Sequence, residues 1–341
     1  MKYDYLVFIG RFQPFHIGHQ AVIEKALETA TQVVVLVGSA GKPRSAKNPW
    51  TFQERAEMIL KSTAVGADYH RVNVIPLYDK TYNDSAWAAQ VQSLIETVVR
   101  QNPSCPNPRI GIIGHIKDDS SYYHKMFPQW DLVEHDMNEV VHATDIRSTL
   151  FGGKSLRFLD GILPRPVQEV VSQFVSTPTY DYLKQEYDYI KAYRRSWEAA
   201  PYPPTFVTTD ALVVQSGHIL LIQRKAAPGK GLWALPGGFL NQNERIIDGI
   251  LRELHEETRL KVPKPVLRGS ITKREVFDDP GRSERGRIIT HAALIQLPPG
   301  ELPAVKGSDD ARKAKWVPIA ELREDNMFED HYAIIQYMLG M

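Results

Sequence analysis

Two groups of residues have the types and the spacing to do chemistry. The first is the decapeptide GRFQPFHIGH, Gly10–His19, which directly follows the apolar run Tyr5–Ile9. His16 and His19 stand three apart, so at a helix start they share a face and sit in the positive end of the helix dipole. Imidazole N–H groups placed there can donate to phosphate oxygens. Arg11 adds a planar, permanently charged fork, Gly10 can take a tight turn, Pro14 stiffens the loop and Gly18 lets a ligand approach the backbone. A bare pair of histidines at this spacing is equally compatible with a metal pair or with two satisfied loop residues. The second group is acidic. Glu253, Glu256 and Glu257 fall at i, i+3 and i+4, one face of a helix. Three carboxylates this close repel one another, so either water solvates them fully or a divalent cation neutralises them.

The first group needs a strand that ends at Gly10 and a helix that begins near His16. Tyr5–Ile9 reads as a buried strand, Gln20–Ala30 as a helix and Gln32–Val37 as a second strand, a spacing that predicts a parallel pair with a right-handed crossover. Val72–Ile75, Arg109–Ile113 and Asp131–Glu134 add short strands, and Thr51–Lys61, Ser85–Arg100 and Val167–Val175 read as helices. This is the pattern of a doubly wound α/β domain, in which ligands bind beyond the carboxyl ends of the strands. The acidic group needs a helix over Glu244–Arg259, with Ile246, Ile247, Ile250, Leu251 and Leu254 as its apolar stripe. Around it, Thr205–Gln215 and Ile219–Gln223 read as strands about a turn at Ser216-Gly217. Ile288–Gln296 is a further strand and Asp330–Leu339 a closing helix, which makes an α+β unit with a mixed sheet. Between the halves, Tyr180–Trp197 reads as an amphipathic connecting helix and Pro201–Pro204 as an extended hinge. The expected domains are 1–180 and 205–341, joined by 181–204.

Composition bounds the remaining classes. A chain of 341 residues favours two domains, and 41 basic against 40 acidic residues leave a formal charge of +1. That balance argues against broad nucleic-acid binding, though not against a local basic pocket. The single cysteine, Cys105, allows no internal disulfide and no cysteine-rich zinc site. The start, MKYDYLVFIG, lacks a signal-peptide pattern, and no stretch approaches the ~18 apolar residues of a membrane span. The expectation is a cytoplasmic protein with no membrane and no nucleic-acid partner, its oligomeric state open between monomer and homo-oligomer.

GRFQPFHIGH resembles the HxGH signature of nucleotidyltransferases. A second stretch, HATDIRSTLFGG (His142–Gly153), is similar to that family's other motif. The resemblance implies a Rossmann-like nucleotidyltransferase domain in which Thr144, Arg147, Ser148 and Thr149 form a second helix N-terminus facing the first. Two helix ends and an arginine suit a triphosphate. NPWTFQERAEMI (Asn48–Ile59), YNDSAWAAQV (Tyr82–Val91) and GHIKDDSSYYHKMFPQW (Gly114–Trp130) resemble the archaeal-type nicotinamide mononucleotide adenylyltransferases. On that resemblance Trp87 stacks on the nicotinamide ring, Asn83 and Asp84 bind its carboxamide or ribose, and Phe12 joins Gly10, Arg11 and Gly18 in binding substrate. His16, His19 and Arg147 hold the triphosphate of ATP while the mononucleotide attacks, giving NAD and pyrophosphate. Magnesium would travel mainly with the phosphates. The alternative is a different acceptor for the adenylyl or cytidylyl group.

GGFLNQNERIIDGILRELHEETRL, from Gly237, is similar to the Nudix box, and LWALPGG (Leu232–Gly238) before it is typical of that family. The resemblance implies a Nudix domain in which Glu253, Glu256 and Glu257 bind Mg²⁺ or Mn²⁺ and Glu253 and Glu257 are catalytic. Arg252 orients the carboxylates, Glu244 is the first box glutamate, and Gly237 or Gly238 completes the site. Glu275 and Glu284 are loop candidates for the base, with the box glutamates as the alternative. Arg259 stands where the family has glycine, so the residue must adopt a left-handed conformation or the helix must end another way. EVFDDPGRSERGRIITHA (Glu275–Ala292) resembles ADP-ribose pyrophosphatases, which makes ADP-ribose the expected substrate and Arg282, Arg285 and Arg287 candidate phosphate contacts. The competing class is a non-catalytic ADP-ribose sensor, and another dinucleotide is the competing substrate.

Overall fold

The computed structural model describes residues 2–63, 69–101, 107–114, 125–135, 141–308 and 310–341. Cys105 and most of Gly114–Trp130 therefore lie outside the described residues. The chain divides into two compact units, Met1–Lys184 and Gln185–Met341.

In the first unit β1 (Tyr3–Gly10), α1 (Ile17–Thr29), β2 (Ala30–Val37), α2 (Phe52–Thr63), β3 (Val72–Pro76), α3 (Asp84–Arg100), β4 (Ile110–Gly114) and β5 (Asp131–Glu134) alternate along the chain. They are followed by α4 (Ala143–Phe151), α5 (Arg165–Phe174) and α6 (Pro178–Arg195), the last of which ends in the second unit. The five strands are parallel in the order β3-β2-β1-β4-β5. The order reverses direction at β1, so the crevice beyond the carboxyl ends of β1 and β4 is the topological switch point. Val33 to Val37 are all fully buried, as the continuous apolar run of a strand covered on both faces requires. Tyr5, Val7, Val34 and Leu36 meet Val91 and Ile95 of α3 in one core.

In the second unit the strands are β6 (Thr205–Gln215), β7 (His218–Arg224), β8 (Trp233–Ala234), β9 (Gly237–Phe239), β10 (Ile271–Phe277), β11 (Arg287–Gln296) and β12 (Ala311–Pro318). The helices are α7 (Ile246–Thr258), α8 (Lys264–Gly269) and α9 (His331–Leu339). The main sheet runs β10-β11-β6-β7-β12, with β8 beside β7 and β9 beside β6. Only β6–β11 is parallel among its described pairs, so the sheet is mixed. The apolar stripe of α7 packs as its period demands: Ile250, Leu251 and Leu254 meet Ala211, Val213, Leu220, Ala293 and Ile295. This packing turns the carboxylate face of α7 toward β9.

The sequence reading places Glu244 inside the acidic helix. In the structure the helix starts two residues later, and Glu244 precedes it, its carboxylate accepting from the Asn241 N–H at 2.8 Å. At the other end Arg259 closes α7 in the left-handed region, at φ 51° and ψ 29°. Its guanidinium donates to Ser308 Oγ at 2.8 and 3.0 Å, an exposed contact that offsets part of the conformational cost. Arg259→Gly is therefore expected to stabilise the protein by about 1 kcal/mol. A thermal melt that shows Arg259→Gly to be less stable would contradict this.

Candidate functional sites

At the switch point the loop after β1 is fixed by packing and by borrowed hydrogen bonds. Phe12, buried at φ 51°, packs against Phe8 and His19 with ring centroids at 5.2 and 4.8 Å. Gly10 is needed because a Cβ there would lie 2.8 Å from the Phe12 ring. Arg55 of α2, fully buried, donates to the carbonyls of Arg11 at 2.6 Å and Gly38 at 2.7 Å, locking the loop to the end of β2. Burial drives its guanidinium down to about 10, and those carbonyls are its compensation. The sequence reading did not single out Arg55, because a lone arginine on an amphipathic helix looks like a surface residue.

His16 is the N-cap of α1, and its ring lies 3.6 Å from that of His19 in a stacked arrangement. The His16 backbone N–H donates to His19 Nδ1 at 3.3 Å. Neutral His19 therefore carries its proton on Nε2, leaving that atom as a donor. Arg147 of α4 is buried and donates to Gln13 O at 2.8 Å and Thr144 Oγ1 at 3.2 Å. That pair of bonds brings the α4 N-terminus to the loop after β1. Among the described residues no side chain caps α4, and the Asp145 and Ile146 N–H groups donate to the His142 carbonyl at 3.0 and 3.3 Å, which leaves the Ala143 and Thr144 N–H groups as the ones an anion would meet. Ser148 is exposed on α4 and Thr149 is buried. Gly18 is buried in the first turn of α1, and Arg11 is exposed.

Trp87 is half-buried on α3, 6.0 Å from the Phe127 ring, which stacks on Trp130 at 4.8 Å. Asn83 is the N-cap of α3: its Oδ1 accepts from the Ala86 N–H at 2.9 Å. That bond uses the side-chain oxygen locally and leaves the amide NH₂ for other partners. Asp84 is exposed in the first turn.

The second site is built on the polar face of α7. Arg252 donates to both Glu244 oxygens at 2.6 and 2.9 Å, to Glu253 at 2.8 Å and to Glu256 at 2.9 Å. Its hydrogen bonds hold Glu244 down to about 2. Glu257, 5 % exposed, accepts from the Gly237 N–H at 2.9 Å. Burial raises its carboxyl to about 8 and also pushes Glu253 upward. Gly238 lies against Glu253 so closely that a Cβ would come within 2.6 Å of Oε1. Glu253, Glu257, Gly237 and Gly238 thus form one cradle, and Glu256, whose side chain is 41 % exposed, sits at its rim.

A buried pair of like-charged carboxyls resists ionisation, and a divalent cation removes that resistance. Oxygen donors in this crowded arrangement fit Mg²⁺ or Mn²⁺. Among the described residues no three metal-binding side chains are already gathered into a cage; Arg252 holds two of the carboxylates instead. Asp210 of β6, buried and hydrogen-bonded by Thr290, is a further carboxyl beside the cradle that the sequence reading missed. A Cβ on Gly237 would come within 2.4 Å of its Oδ1.

Two expectations for the basic loop need correction. Arg282 is buried and doubly hydrogen-bonded to Asp330 at 2.9 and 3.0 Å, so the fork expected to meet a phosphate is spent on a structural ion pair. Arg282→Ala is expected to destabilise the protein by about 3–5 kcal/mol, because it strands a buried carboxylate. An unfolding midpoint unchanged in denaturant would refute that. Glu275, expected in a loop, lies on strand β10 beside Lys273 at 3.7 Å. Glu284 does lie in the loop before β11, where its carbonyl accepts from Arg194 at 2.6 Å. Arg285 sits with its guanidinium 5.7 Å from the Phe239 ring, and Arg287 bonds the Asp278 carbonyl.

The cytidylyltransferase-like family model matches residues 7–148, and the NUDIX domain model matches residues 204–338. A nicotinamide/nicotinic acid mononucleotide adenylyltransferase of Acinetobacter baylyi is 37 % identical over 54 % of this chain and 94 % of its own. An ADP-ribose pyrophosphatase of Methanocaldococcus jannaschii is 35 % identical over 38 % of this chain and 70 % of its own. A crystal structure of a bifunctional NMN adenylyltransferase/ADP ribose pyrophosphatase from Francisella tularensis covers 99 % of both chains at 38 % identity with a TM-score of 0.91. A second structure of such a protein from that organism, complexed with AMP and a Mn ion, gives a TM-score of 0.90.

Proposed function

The chain belongs to the family of bifunctional nicotinamide mononucleotide adenylyltransferase/ADP-ribose pyrophosphatases, and from that premise we propose how its two sites divide the work. The first unit transfers AMP from ATP to nicotinamide mononucleotide, releasing pyrophosphate and forming NAD. The second hydrolyses ADP-ribose to AMP and ribose 5-phosphate with Mg²⁺ or Mn²⁺. The observation that supports this reading is that one chain brings together residues of both constellations. His16, His19 and Arg147 converge on the loop after β1, and Glu253 and Glu257 converge on Gly237–Gly238.

In the first site catalysis is positioning and charge stabilisation, with no covalent intermediate. His19 Nε2–H, His16, Arg147 and the open N-terminus of α4 hold the triphosphate and meet the charge that moves onto pyrophosphate. Trp87 offers its indole face to the cationic pyridinium, and the Asn83 amide and Asp84 serve the carboxamide or ribose. Gly10, Arg11, Phe12 and Gly18 shape the phosphate loop, and Thr144, Ser148 and Thr149 build the facing helix end.

In the second site Glu253 and Glu257, with Glu256 at the rim, would hold the cation, which supplies charge to the diphosphate oxygens and acidity to water. Gly237 orients Glu257 through its N–H, and Arg252 clamps Glu253 and Glu256 to the helix face. Arg285 and Arg287, partly exposed where Arg282 is buried, are the loop arginines assigned to phosphate. No described helix is long and apolar enough to cross a membrane, and a cytoplasmic location suits a chain that makes and consumes pyridine nucleotide derivatives.

The test is a panel on the purified full chain. ATP is supplied with nicotinamide mononucleotide, nicotinate mononucleotide, flavin mononucleotide and phosphopantetheine, and dinucleotides are supplied separately with Mg²⁺ or Mn²⁺. Products are separated by chromatography. NAD and AMP plus ribose 5-phosphate should dominate, and a clear preference for another acceptor or another dinucleotide would overturn the corresponding half.

A further inference from the structure

Phe328, Glu329, Asp330 and His331 are consecutive in the turn that leads into α9, and each holds a different segment of the second unit. The Phe328 backbone N–H donates to the Trp233 carbonyl at 2.8 Å, and its ring lies 4.0 Å from the Arg224 guanidinium. Glu329 accepts from Ser283 Oγ at 2.7 Å and lies 3.5 Å from Arg285 Nη2. Asp330 pairs with Arg282. His331, 6 % exposed, accepts at Nδ1 from the Leu235 N–H at 3.0 Å. The turn is strained, because Glu329 sits at φ 44°, in the left-handed region. A glycine would take that conformation at no steric cost. A glutamate there accepts the strain and supplies a carboxylate.

Two of these contacts end beside groups that the hydrolytic site uses. Leu235 stands two residues before Gly237, whose N–H meets Glu257 at 2.9 Å. The strands on either side of Leu235 are too short to be stiff by themselves, β8 having two residues and β9 three. The turn before α9 ties the Trp233 carbonyl and the Leu235 N–H, and the Pro236 carbonyl accepts from the Ala211 N–H at 2.8 Å. The path of the chain into Gly237 and Gly238 is therefore set by this turn as well as by β6. On the other side, Ser283 Oγ accepts from the Arg285 N–H at 3.3 Å and from its Nε at 3.2 Å while donating to Glu329. Ser283 and Glu329 together hold the Arg285 guanidinium.

We propose that Phe328–His331 is a positioning clip of the hydrolase. His331 is the positioning residue for the loop that carries Gly237 and Gly238, and so for the geometry offered to the cation. Glu329 is the positioning residue for Arg285, and so for the diphosphate. Both act through another group and neither touches the reacting atoms. This role rests on the reading of the second site as an ADP-ribose hydrolase.

Two binding steps separate the clip from a general defect. Mn²⁺ is titrated into the full chain without substrate, with the free ion read by electron paramagnetic resonance, and the KM for ADP-ribose is measured at saturating Mn²⁺. His331→Phe keeps a ring and removes the acceptor. It should weaken Mn²⁺ binding by about tenfold or more, the scale of losing a group that orients a metal ligand. His331→Asn, whose Oδ1 can stand where Nδ1 does, should restore most of that affinity. Glu329→Gly should leave Mn²⁺ binding unchanged and raise the KM for ADP-ribose by about fivefold, the scale of one lost hydrogen bond. Wild-type Mn²⁺ affinity in His331→Phe, no recovery in His331→Asn, an equal loss of Mn²⁺ binding in Glu329→Gly, or an unchanged KM in that variant would overturn the clip. Should His331→Phe not fold, Glu329→Gly decides by the same two readings. If the wild type hydrolyses no ADP-ribose, the functional reading fails on its own account, and the clip is judged by the Mn²⁺ titrations alone.

Discussion

Glu257→Gln is expected to abolish hydrolysis of ADP-ribose, with turnover down by at least about 10²-fold, the scale of losing one charge-stabilising contact in a transition state. The substitution keeps the shape of a side chain that is 5 % exposed and leaves an oxygen to accept from Gly237 N–H, so the fold should survive. What it removes is a charge and a candidate ligand atom from a cradle whose other carboxyl, Glu253, is partly buried. Burial holds both carboxyls above their ordinary range in the metal-free cradle, and a cation there would draw on the charge of both. Steady-state hydrolysis over a range of Mg²⁺ and Mn²⁺ is the check. Retained turnover at saturating metal would remove Glu257 from the mechanism.

The second large effect is expected in the first unit. His19→Ala should lower NAD synthesis by ~10²-fold or more. Two functions are lost together. The Nε2–H donor disappears, and so does the Nδ1 acceptor for the His16 backbone N–H, which frees the ring stack at 3.6 Å to rearrange. His19→Gln separates the two, since its amide can restore a donor but not the stack. A coupled assay showing near-normal turnover for His19→Ala would end the role assigned to it.

These expectations rest on residues that were visible in the sequence because their chemistry is periodic or local. The HxGH loop follows an unbroken apolar strand, and the α7 carboxylates fall along the flank of the stripe made by Ile250, Leu251 and Leu254. Four strands of the second unit were missed: β8 and β9 are only two and three residues long, and β10 and β12 are the edges of the main sheet. ITKREVF and ARKAKWVP carry lysine and arginine on the faces and edges left to water, the usual protection of an edge against further pairing, and so they read as loops. The six-residue α8 was missed as well, being too short to show a period.

The misread site residues share a different cause. Arg282 was assigned to phosphate because its partner, Asp330, lies 48 positions away and no local pattern joins them. Arg55 and Asp210 escaped for the same reason, being single charges whose burial is decided by tertiary packing. Trp197 falls in a segment whose tyrosines, charges and prolines look like a linker, and only the approach of Phe206 shows it packed against the second unit.

On this reading one chain carries two active sites with no shared residues. The measurement that tests it most directly is NAD synthesis and ADP-ribose hydrolysis assayed side by side on Glu257→Gln and on His16→Ala, with folding checked by circular dichroism. A crossed result is expected: Glu257→Gln loses hydrolysis and makes NAD at the wild-type rate, while His16→Ala loses synthesis and hydrolyses ADP-ribose normally. A folded Glu257→Gln protein that has also lost most of its NAD synthesis would contradict it.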